Sequence, residues 1–513
     1  MIKRFGSPNW PEYIPQPLYE EHPEYNELYM KAWELAFAHI KSIDGMPQTP
    51  YMDEAFCDTQ IWIWDTCFMS LFCKYAQDIF PGKESLNNFY EVLHNNRTLP
   101  KVIPPENEPS WTYATPGVPF NIHVHIADNP PLFAWAEYEN ALFHGDVDYI
   151  KELLYERGFL QKHYEWIESL KDSLIIPNVR GKTYLIAEKY GYRWEGGRSG
   201  MDNTPRGRKG ERAEKERPNN PDMLWIDAIC QQALSANLIA KMYKLAGDDR
   251  EADIWYKRFC EKKDIVNGVY WDDEDKFYYD VDVNSHSFYK VMTPASYWTL
   301  VSEIASEEQA KYLAKRLSDP DTFGGNVPLI SLARNDADYH SDGRYWRGAL
   351  WMPTAYATIC GLIKYGYYDQ VHKASQKILR HMYDTYKQYD PHTIWECYSP
   401  EKCEPALDAK GREIVRPDFC GWSALGPISI YIEGLLGFHR VDAFERLVEW
   451  SKPDNLSGEI GIRNLRFGDI VTDIIAIGDE CKVTSNAEYT LKVNGKKYFI
   501  KCGENKVSID QEE

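Results

Sequence analysis

Two carboxylic acids lie where this chain could carry out acid–base chemistry. Asp202 belongs to a stretch, residues 194–206, whose glycines, proline and lack of apolar periodicity predict a loop. Glu396 lies in a short segment between two aromatic residues, an unusual place for a solvated glutamate. Cleavage of a glycosidic bond needs such a pair, with one carboxyl protonated to assist the leaving oxygen and one ionised. The competing interpretation of Asp202 is a cap in an ordinary turn.

Aromatic side chains accompany further polar residues in two more segments. Residues 62–65 place two tryptophans and a carboxylate at the start of a predicted helix, where the rings could stack on a hexose while Asp65 binds its hydroxyls. Residues 346–351 place Arg347 between two tryptophans, where its guanidinium could orient a carboxylate or a hydroxyl. A helix cap beside core tryptophans, and an ordinary exposed arginine, are the alternatives.

The composition favours a carbohydrate ligand over a polyanion. The chain of 513 residues holds 17 Trp and 36 Tyr, and such rings suit either a sugar-binding cleft or a large aromatic core. The formal net charge is −20, from 78 acidic and 58 basic residues, so we expect no nucleic-acid partner. A small oligosaccharide or glycoside is the expected partner, and the oligomeric state stays open.

Neither a membrane segment nor an export signal is expected. No run of 18 apolar residues occurs, and no apolar stretch follows Met1, so the cytoplasm is the predicted location. The 11 cysteines include no CxxC pair and are interpreted as reduced core residues. We predict no cofactor and no metal site. For the acidic loop 272–275, a solvated turn is favoured over a calcium site.

Apolar periodicity predicts a mainly α-helical protein. Helix-length periodic stretches alternate with loops rich in Pro, Gly and Asp from about residue 24 to about 440. Twelve such helices without a comparable series of strands predict six helical hairpins closed into an (α/α)6 toroid, with the site in the connecting loops. The predicted helices span 24–43, 62–77, 84–96, 130–144, 147–170, 221–246, 248–263, 294–305, 306–317, 346–365, 368–387 and 421–438.

The pattern changes near the C terminus. After about residue 455 apolar residues alternate in period two, and Asn494-Gly495 is a strong signal for a two-residue hairpin. We therefore expect an N-terminal arm over 1–22, the helical toroid over 23–450 and a small antiparallel β module over 451–513, whose role is interpreted as structural. Short strands are also expected near 177–193 and 265–290.

Four segments together resemble a known family. Residues 199–206, 345–351, 395–398 and 421–424 resemble, in sequence and in order, the motif set of glycoside hydrolase family 63, which is related more distantly to the trehalases. Members of that family are inverting α-glycosidases built on an (α/α)6 toroid. We expect no large N-terminal β domain of the kind that some members have, as in the shorter bacterial forms that resemble mannosylglycerate hydrolases.

The resemblance implies roles for individual residues. Asp202 would be the general acid, and Glu396 the general base that activates water on a small α-glucoside or α-mannoside. The chain departs from the family pattern at Arg198, where an acidic residue is usual, and in the loop after Glu396, which lacks a usual Thr-Gly. The implied substrate-binding residues are Trp62, Trp64, Asp65, Arg206, Tyr345, Trp346, Arg347, Trp351, Trp395 and Trp422.

Other functions fit the same fold. A sugar epimerase would rely on catalytic histidines, for which His123, His125 and His340 are the candidates. An unsaturated-uronyl hydrolase or a non-catalytic sugar-binding protein would also retain the aromatic cleft. Mass balance separates these functions, because hydrolysis releases a free sugar, epimerisation leaves the mass unchanged and a binding protein leaves its ligand intact.

Overall fold

Helices dominate the part of the chain that the computed structural model describes, which comprises residues 4–55, 59–94, 102–103, 105, 129–171, 185–194, 196–207, 220, 222–454 and 456–509. The π-helix Gly426–Leu435 is labelled α13, and shorter turns of 3₁₀- or π-helix span Trp10–Glu12, Lys74–Ala76, Glu152–Arg157, Pro294–Tyr297 and Ser423–Leu425. The α-helices are α1 (Tyr25–Ala38), α2 (Ile63–Cys73), α3 (Gly82–His94), α4 (Phe133–His144), α5 (Val147–Lys151), α6 (Phe159–Ser169), α7 (Ile226–Leu245), α8 (Asp249–Val269), α9 (Trp298–Val301), α10 (Glu307–Arg316), α11 (Met352–Lys364) and α12 (Tyr368–Gln388).

Six of these helices contact one another in a cyclic order. Helix α2 packs against α4, α4 against α7, α7 against α9, α9 against α11, α11 against α13, and α13 against α2. Every residue of α2 and α13 is buried, as expected of a helix with neighbours on all sides. Helices α3, α8 and α12 pack against α2, α7 and α13, and α12 is strongly amphipathic. The sequence-based prediction of a mainly helical chain is confirmed.

Residues with positive φ interrupt one predicted helix and delay the start of another. The stretch 147–170 is divided at Gly158, whose φ of +57° a continuing helix cannot include. The stretch 346–365 is helical only from Met352, because Gly348 inside it adopts a φ of +144°, and Arg344 and Tyr345 just before it adopt φ values of +32° and +65°. That irregular segment contributes to the candidate site.

The strands form small sheets that are concentrated toward the C terminus. One sheet has the order β1-β15-β16-β17-β20 and another β13-β14-β18-β19, so strands at residues 16–19 and 440–450 join the C-terminal strands. The hairpin predicted at Asn494-Gly495 is confirmed, since both residues have positive φ between β18 and β19. The strands are β1 (Gln16–Tyr19), β2 (Ile40–Lys41), β3 (Tyr51–Met52), β4 (Ile61–Trp62), β5 (Val102–Ile103), β6 (Ile186–Glu188), β7 (Gly191–Arg193), β8 (Met223–Leu224), β9 (Trp271–Asp272), β10 (Phe277–Tyr278), β11 (Asp280–Asp282), β12 (Phe288–Tyr289), β13 (Arg440–Asp442), β14 (Leu447–Trp450), β15 (Glu459–Phe467), β16 (Ile470–Ile477), β17 (Glu480–Ser485), β18 (Tyr489–Val493), β19 (Lys496–Ile500) and β20 (Gly503–Ser508).

A buried ion cluster joins four of the six helices. The Nζ atom of Lys74, just after α2, lies 3.0 Å from Glu433 Oε1 on α13 and 3.2 Å from Glu139 Oε2 on α4. Glu433 also accepts hydrogen bonds from the hydroxyls of Tyr75 and Tyr356, the latter on α11. Burial alone would lower the pKa of Lys74, but the two carboxylates raise it above its ordinary value. Because buried charges persist only when they are paired, the cluster fixes these helices relative to one another.

Three further expectations concern membrane-spanning helices, the cysteines and the acidic loop 272–275. Within the described residues, no helix is both long enough and apolar enough to cross a bilayer. The cysteines in the same part of the chain are free thiols. In the acidic loop considered for calcium, the Nζ atom of Lys290 lies 2.6 Å from Asp272 Oδ2 and 3.0 Å from Asp275 Oδ2, so a lysine balances these carboxylates.

Candidate active site

Asp202 lies in a tight turn that is closed by a backbone hydrogen bond. The backbone N–H of Thr204 donates to the carbonyl of Met201 at 3.0 Å, and both of these residues are buried, whereas Asp202 is half-buried. The described residues around this turn, 196–207, are termed the Asp202 loop below. A carboxylate held on a rigid turn with one side accessible is suited to act on a bound ligand.

Arg206, expected at the sugar subsite, instead anchors the end of the Asp202 loop. It is fully buried, and its Nε and two Nη atoms donate to Asp280 and Asp227 at distances of 2.7–2.8 Å, while Nη1 also contacts the Met201 sulfur at 3.7 Å. The guanidinium stacks 4.4 Å from the ring of Trp225. Burial opposes its charge, but the two carboxylates raise the pKa of Arg206 above its ordinary value. All five N–H groups are thus directed at protein atoms, so Arg206 positions the loop at the start of α7.

Gly200 allows the Asp202 loop to lie directly on a tryptophan. It adopts a φ of +84°, and a Cβ atom built there would lie 2.3 Å from Cη2 of Trp64. Such a distance is far inside van der Waals contact, so no other residue fits without movement of the ring or of the backbone. The close approach places the turn that carries Asp202 against the first turn of α2.

Asn203 connects the Asp202 loop to the segment before α11. Its Oδ1 atom accepts from the backbone N–H of Trp346 at 2.8 Å, and its Nδ2 atom donates to the carbonyl of Arg344 at 2.9 Å. Its backbone carbonyl accepts from Nε of Arg347 at 3.3 Å. These three bonds span more than 140 residues of sequence and hold Tyr345, between the two bonded backbone groups, in its positive-φ conformation.

Tyr345 in turn contacts the second carboxylic acid. Its hydroxyl donates to Oε1 of Glu396 at 2.8 Å, and the backbone N–H of Arg416 donates to Oε2 at 3.4 Å. The carbonyl of Glu396 accepts from the indole N–H of Trp422 at 2.9 Å and from the hydroxyl of Ser423 at 3.1 Å. Glu396 is thereby fixed at both its side chain and its backbone.

The surroundings of Glu396 make it more basic than an ordinary glutamate. Burial raises the pKa of this carboxyl, the hydrogen bond from Tyr345 and the charge of Arg416 oppose the rise, and the charge of Asp202 adds to it. Burial also raises the pKa of the Tyr345 hydroxyl, and the negative charges of Glu396 and Asp202 add to that rise. The two carboxylic acids therefore lie close enough for each to be part of one electrostatic environment.

Four tryptophans form a closed ring of contacts beside these groups. Trp346 stacks on Trp351 with ring centroids 4.1 Å apart, and Trp351 contacts Trp422 at 5.6 Å. Trp64 completes the ring, at 6.1 Å from Trp422 and 6.3 Å from Trp346. The four residues come from the first turn of α2 and from the segments that lead into α11 and α13, and Tyr345 packs edge-on against Trp351. The structure thus brings together tryptophans that the sequence analysis took from three separate motifs.

The remaining predicted residues are all buried. Trp62 and Asp65 lie at the start of α2 and are both buried, and Arg347 lies 3.9 Å from Asp338 through its Nη1 atom. Trp395 is buried against the edge of Tyr389.

Of the three histidines considered for an epimerase, the structure describes His340. His123 and His125 lie outside the described residues. The backbone N–H of His340 donates to the carbonyl of Arg347, and burial lowers the pKa of the His340 ring.

Sequence reasoning missed Asn203 and Glu54 as supports of the site. Asn203 lay inside the motif around Asp202. The signal that could have marked it as a support was its residue type, because an amide side chain can bond a backbone N–H and a backbone C=O at the same time. Glu54 accepts a hydrogen bond from the backbone N–H of Trp62, eight residues further along the chain, at 2.7 Å. No sequence pattern predicts a contact of this kind.

The comparison with protein families decides the class of this site. A family model described as the mannosylglycerate hydrolase MGH1-like glycoside hydrolase domain matches residues 60–412. The chain belongs to glycoside hydrolase family 63. The protein is therefore a glycoside hydrolase, and the matched region contains both candidate carboxylic acids and the first three tryptophans of the ring.

Individual relatives and solved structures are similar to this chain over most of its length. A protein of Borreliella burgdorferi is 26% identical over 448 residues, which are 83% of this chain and 83% of the relative. The mannosylglycerate hydrolase of Rubrobacter radiotolerans is 22% identical over 397 residues, 65% of this chain and 86% of the relative. The structure of the family 63 mannosylglycerate hydrolase from Thermus thermophilus in complex with Tris superposes with a TM-score of 0.55 at 17% identity, covering 78% of this chain and 99% of that one. This likeness shows a shared fold.

The contact between Gly200 and Trp64 leads to a testable prediction. In Gly200→Ala the new methyl group must displace the ring or the Asp202 loop, and a displacement of this size near reacting groups lowers kcat/KM about tenfold to a hundredfold. Gly247→Ala is the matched control, because Gly247 has nearly the same φ, +83°, with nothing within 4 Å of the added Cβ. Steady-state kinetics of both variants on a glycoside that the wild type cleaves make the measurement. Equal effects of the two substitutions would contradict a steric role for the contact.

Proposed function

We propose that the protein is an inverting α-glycosidase in which Asp202 is the general acid and Glu396 is the general base that activates water. Its substrate is a small α-glucoside or α-mannoside. The six helices that contact one another in cyclic order form the inner ring of an (α/α)6 toroid, and the segments that lead into α2, α7, α11 and α13 line the site. The cyclic packing and the fold shared with family 63 support this architecture.

The observation that carries the proposal is the pairing of two unlike carboxylic acids in one site. Glu396 is buried and held by Tyr345, whereas Asp202 is half-buried on a turn, and an ionised Asp202 would raise the pKa of both Glu396 and Tyr345, so the two carboxyl groups do not ionise together readily. Inverting hydrolysis requires two carboxyl groups in different environments on opposite sides of the scissile bond. A buried carboxylate with a raised pKa is the stronger base toward water.

The reaction would proceed in one displacement. Asp202 donates its proton to the glycosidic oxygen as the bond from that oxygen to the anomeric carbon breaks. Glu396 removes a proton from a water molecule whose oxygen attacks the anomeric carbon from the opposite face. The products are a free sugar of inverted configuration and the free aglycone alcohol, and a proton moves from Glu396 to Asp202 through solvent to restore the starting state.

The tryptophan ring and Asp65 would form the sugar subsite. Indole rings present apolar faces to the C–H groups of a pyranose, and a carboxylate at a helix start accepts hydrogen bonds from two adjacent hydroxyls. Arg347, held by the carbonyl of Asn203, would orient the rim of the sugar. The relative from Rubrobacter radiotolerans is named for mannosylglycerate, which makes mannosylglycerate and the related glucosylglycerate the first substrates to test.

Proton NMR of the anomeric region tests this function. Wild-type protein incubated with a panel of α-glucosides and α-mannosides, including glucosylglycerate and mannosylglycerate, should release the β-anomer first. Asp202→Asn and Glu396→Gln should each lower turnover by about 10²–10⁴-fold without loss of fold, since each removes one proton transfer.

The controls are an Asp→Asn and a Glu→Gln change on the surface. Asp273→Asn and Glu274→Gln alter side chains that are 85% and 88% exposed, and both should retain wild-type turnover. An α-anomer that appears first would contradict the inverting mechanism. Near-normal turnover in either site variant would remove that residue from its proposed role.

The hydrogen bond from Tyr345 to Glu396 leads to a pH prediction. This bond stabilises the ionised form of Glu396 and so opposes the rise in its pKa that burial causes. Tyr345→Phe should raise that pKa further, and because a general base must be ionised, the acidic limb of the kcat/KM profile should move to higher pH. Tyr365→Phe removes a hydroxyl bonded to the carbonyl of Ala305 instead and should leave the limb unchanged. A limb that stays in place, or moves to lower pH, in Tyr345→Phe would contradict the assignment of Glu396 as base.

A further inference from the structure

Glu54 is a completely buried carboxylic acid that the proposed reaction does not use. It precedes β4 and lies against the first turn of α2, where its Oε1 atom accepts from the backbone N–H of Trp62 at 2.7 Å. Trp62 is the N-cap residue of α2 and its own side chain provides no capping hydrogen bond. An acceptor for the N-cap N–H is normally supplied by a glutamate or glutamine at the third helical position. Glu54 supplies it from outside the helix.

From this contact we infer that Glu54 is a positioning residue for the sugar subsite. It fixes the first turn of α2, and with it the side chains of Trp62, Trp64 and Asp65. The inference rests on the proposed function, because that function gives these three residues their role.

The hydrogen bonds of Thr66 favour a protonated Glu54. The Oγ1 atom of Thr66 lies 2.6 Å from Glu54 Oε1 and 2.7 Å from the carbonyl oxygen of Trp62. The single hydroxyl hydrogen of Thr66 must serve both acceptors, either shared between them or directed at one of them. A proton on Glu54 Oε1 would remove this competition, because the acid could then donate to Thr66 while Thr66 donates to the carbonyl of Trp62.

The surrounding charges agree with a neutral Glu54. Burial raises its pKa well above the ordinary value and the charges of Asp65 and Asp53 add to the rise, while the hydrogen bonds with Thr66 and with the backbone of Trp62 oppose it without cancelling it. Asp53 has cationic partners, with His39 Nδ1 at 2.6 Å and Lys41 Nζ at 3.6 Å, whereas no cationic side chain of the described residues forms an ion pair with Glu54. When carboxyl groups crowd together, the one without a cation takes the proton. A neutral Glu54 removes a like charge from beside Asp65 and Asp53.

Infrared difference spectroscopy tests the protonation directly and needs no turnover. The spectrum of wild type minus Glu54→Gln at neutral pH should contain the C=O stretch of a protonated carboxyl group. Glu303→Gln is the matched control, because Lys364 and Lys241 overcome the effect of burial and lower the pKa of Glu303 to about 2. That variant should lose only carboxylate bands. Loss of a carboxylate band in Glu54→Gln would overturn the neutral form.

Hydrogen exchange and kinetics test the positioning role. The amide of Trp62 should exchange at least about tenfold faster in Glu54→Ala, which removes its acceptor, and at an intermediate rate in Glu54→Gln, whose amide can present an oxygen to Trp62 or an N–H to Thr66 but not both at one atom. On a cleaved glycoside, Glu54→Ala should lower kcat/KM about tenfold or more, mainly through KM, and Glu54→Gln should recover part of the loss with an unchanged pH profile.

The outcomes separate the two proposals. Wild-type exchange and wild-type KM in a folded Glu54→Ala would overturn the positioning role. If the wild type cleaves no glycoside, the proposed function fails, while the infrared and exchange measurements still decide whether a neutral Glu54 holds the start of α2.

Discussion

The amide side chain of Asn203 is the contact on which the geometry of the site depends. It bonds the backbone on both sides of Tyr345, at distances of 2.8 and 2.9 Å, and so holds that residue in a conformation that non-glycine residues rarely adopt. The hydroxyl of Tyr345 then reaches Glu396. Because Asn203 follows Asp202 directly in the chain, the position of one carboxylic acid is coupled to that of the other through a single side chain.

Burial gives this arrangement its chemistry. A carboxylate removed from water becomes more basic, and each hydrogen bond that it keeps limits the change. Glu396 retains the bonds from Tyr345 and from the backbone of Arg416, which keeps it usable as a base while its burial strengthens it. Arg206 shows the same physics in a supporting role, since two carboxylates satisfy its whole guanidinium and fix the loop end without leaving a donor for a ligand.

How much the sequence could predict depends on the range of each interaction. Helices follow from local periodicity, and the hairpin at Asn494-Gly495 follows from the turn preference of two adjacent residues, so both were predictable. The start of α11 was not, because the positive φ values before it are held by Asn203, more than 140 residues away. The same limit explains Arg206, whose type and place beside Asp202 resemble those of a ligand-binding arginine.

In the candidate site too, the sequence predicted some residues and not others. Motif order marked Asp202, Glu396 and the tryptophans, and the structure adds how they are supported. The contact of Glu54 with the start of α2 leaves no periodic or compositional trace, since it joins a buried side chain to a backbone group across an irregular connection. Supports of this kind emerge only when backbone positions are known.

The most direct measurement of the central claim is the hydrolysis of an α-glycosyl fluoride of the sugar that the enzyme accepts. Fluoride departs without a proton, so this substrate needs the base and not the acid. The account predicts that Asp202→Asn keeps kcat/KM on the fluoride within about tenfold of wild type, whereas Glu396→Gln loses about a hundredfold or more. Equal losses in the two variants, or a Glu396→Gln variant that hydrolyses the fluoride as fast as the wild type, would contradict the division of roles between the two carboxylic acids.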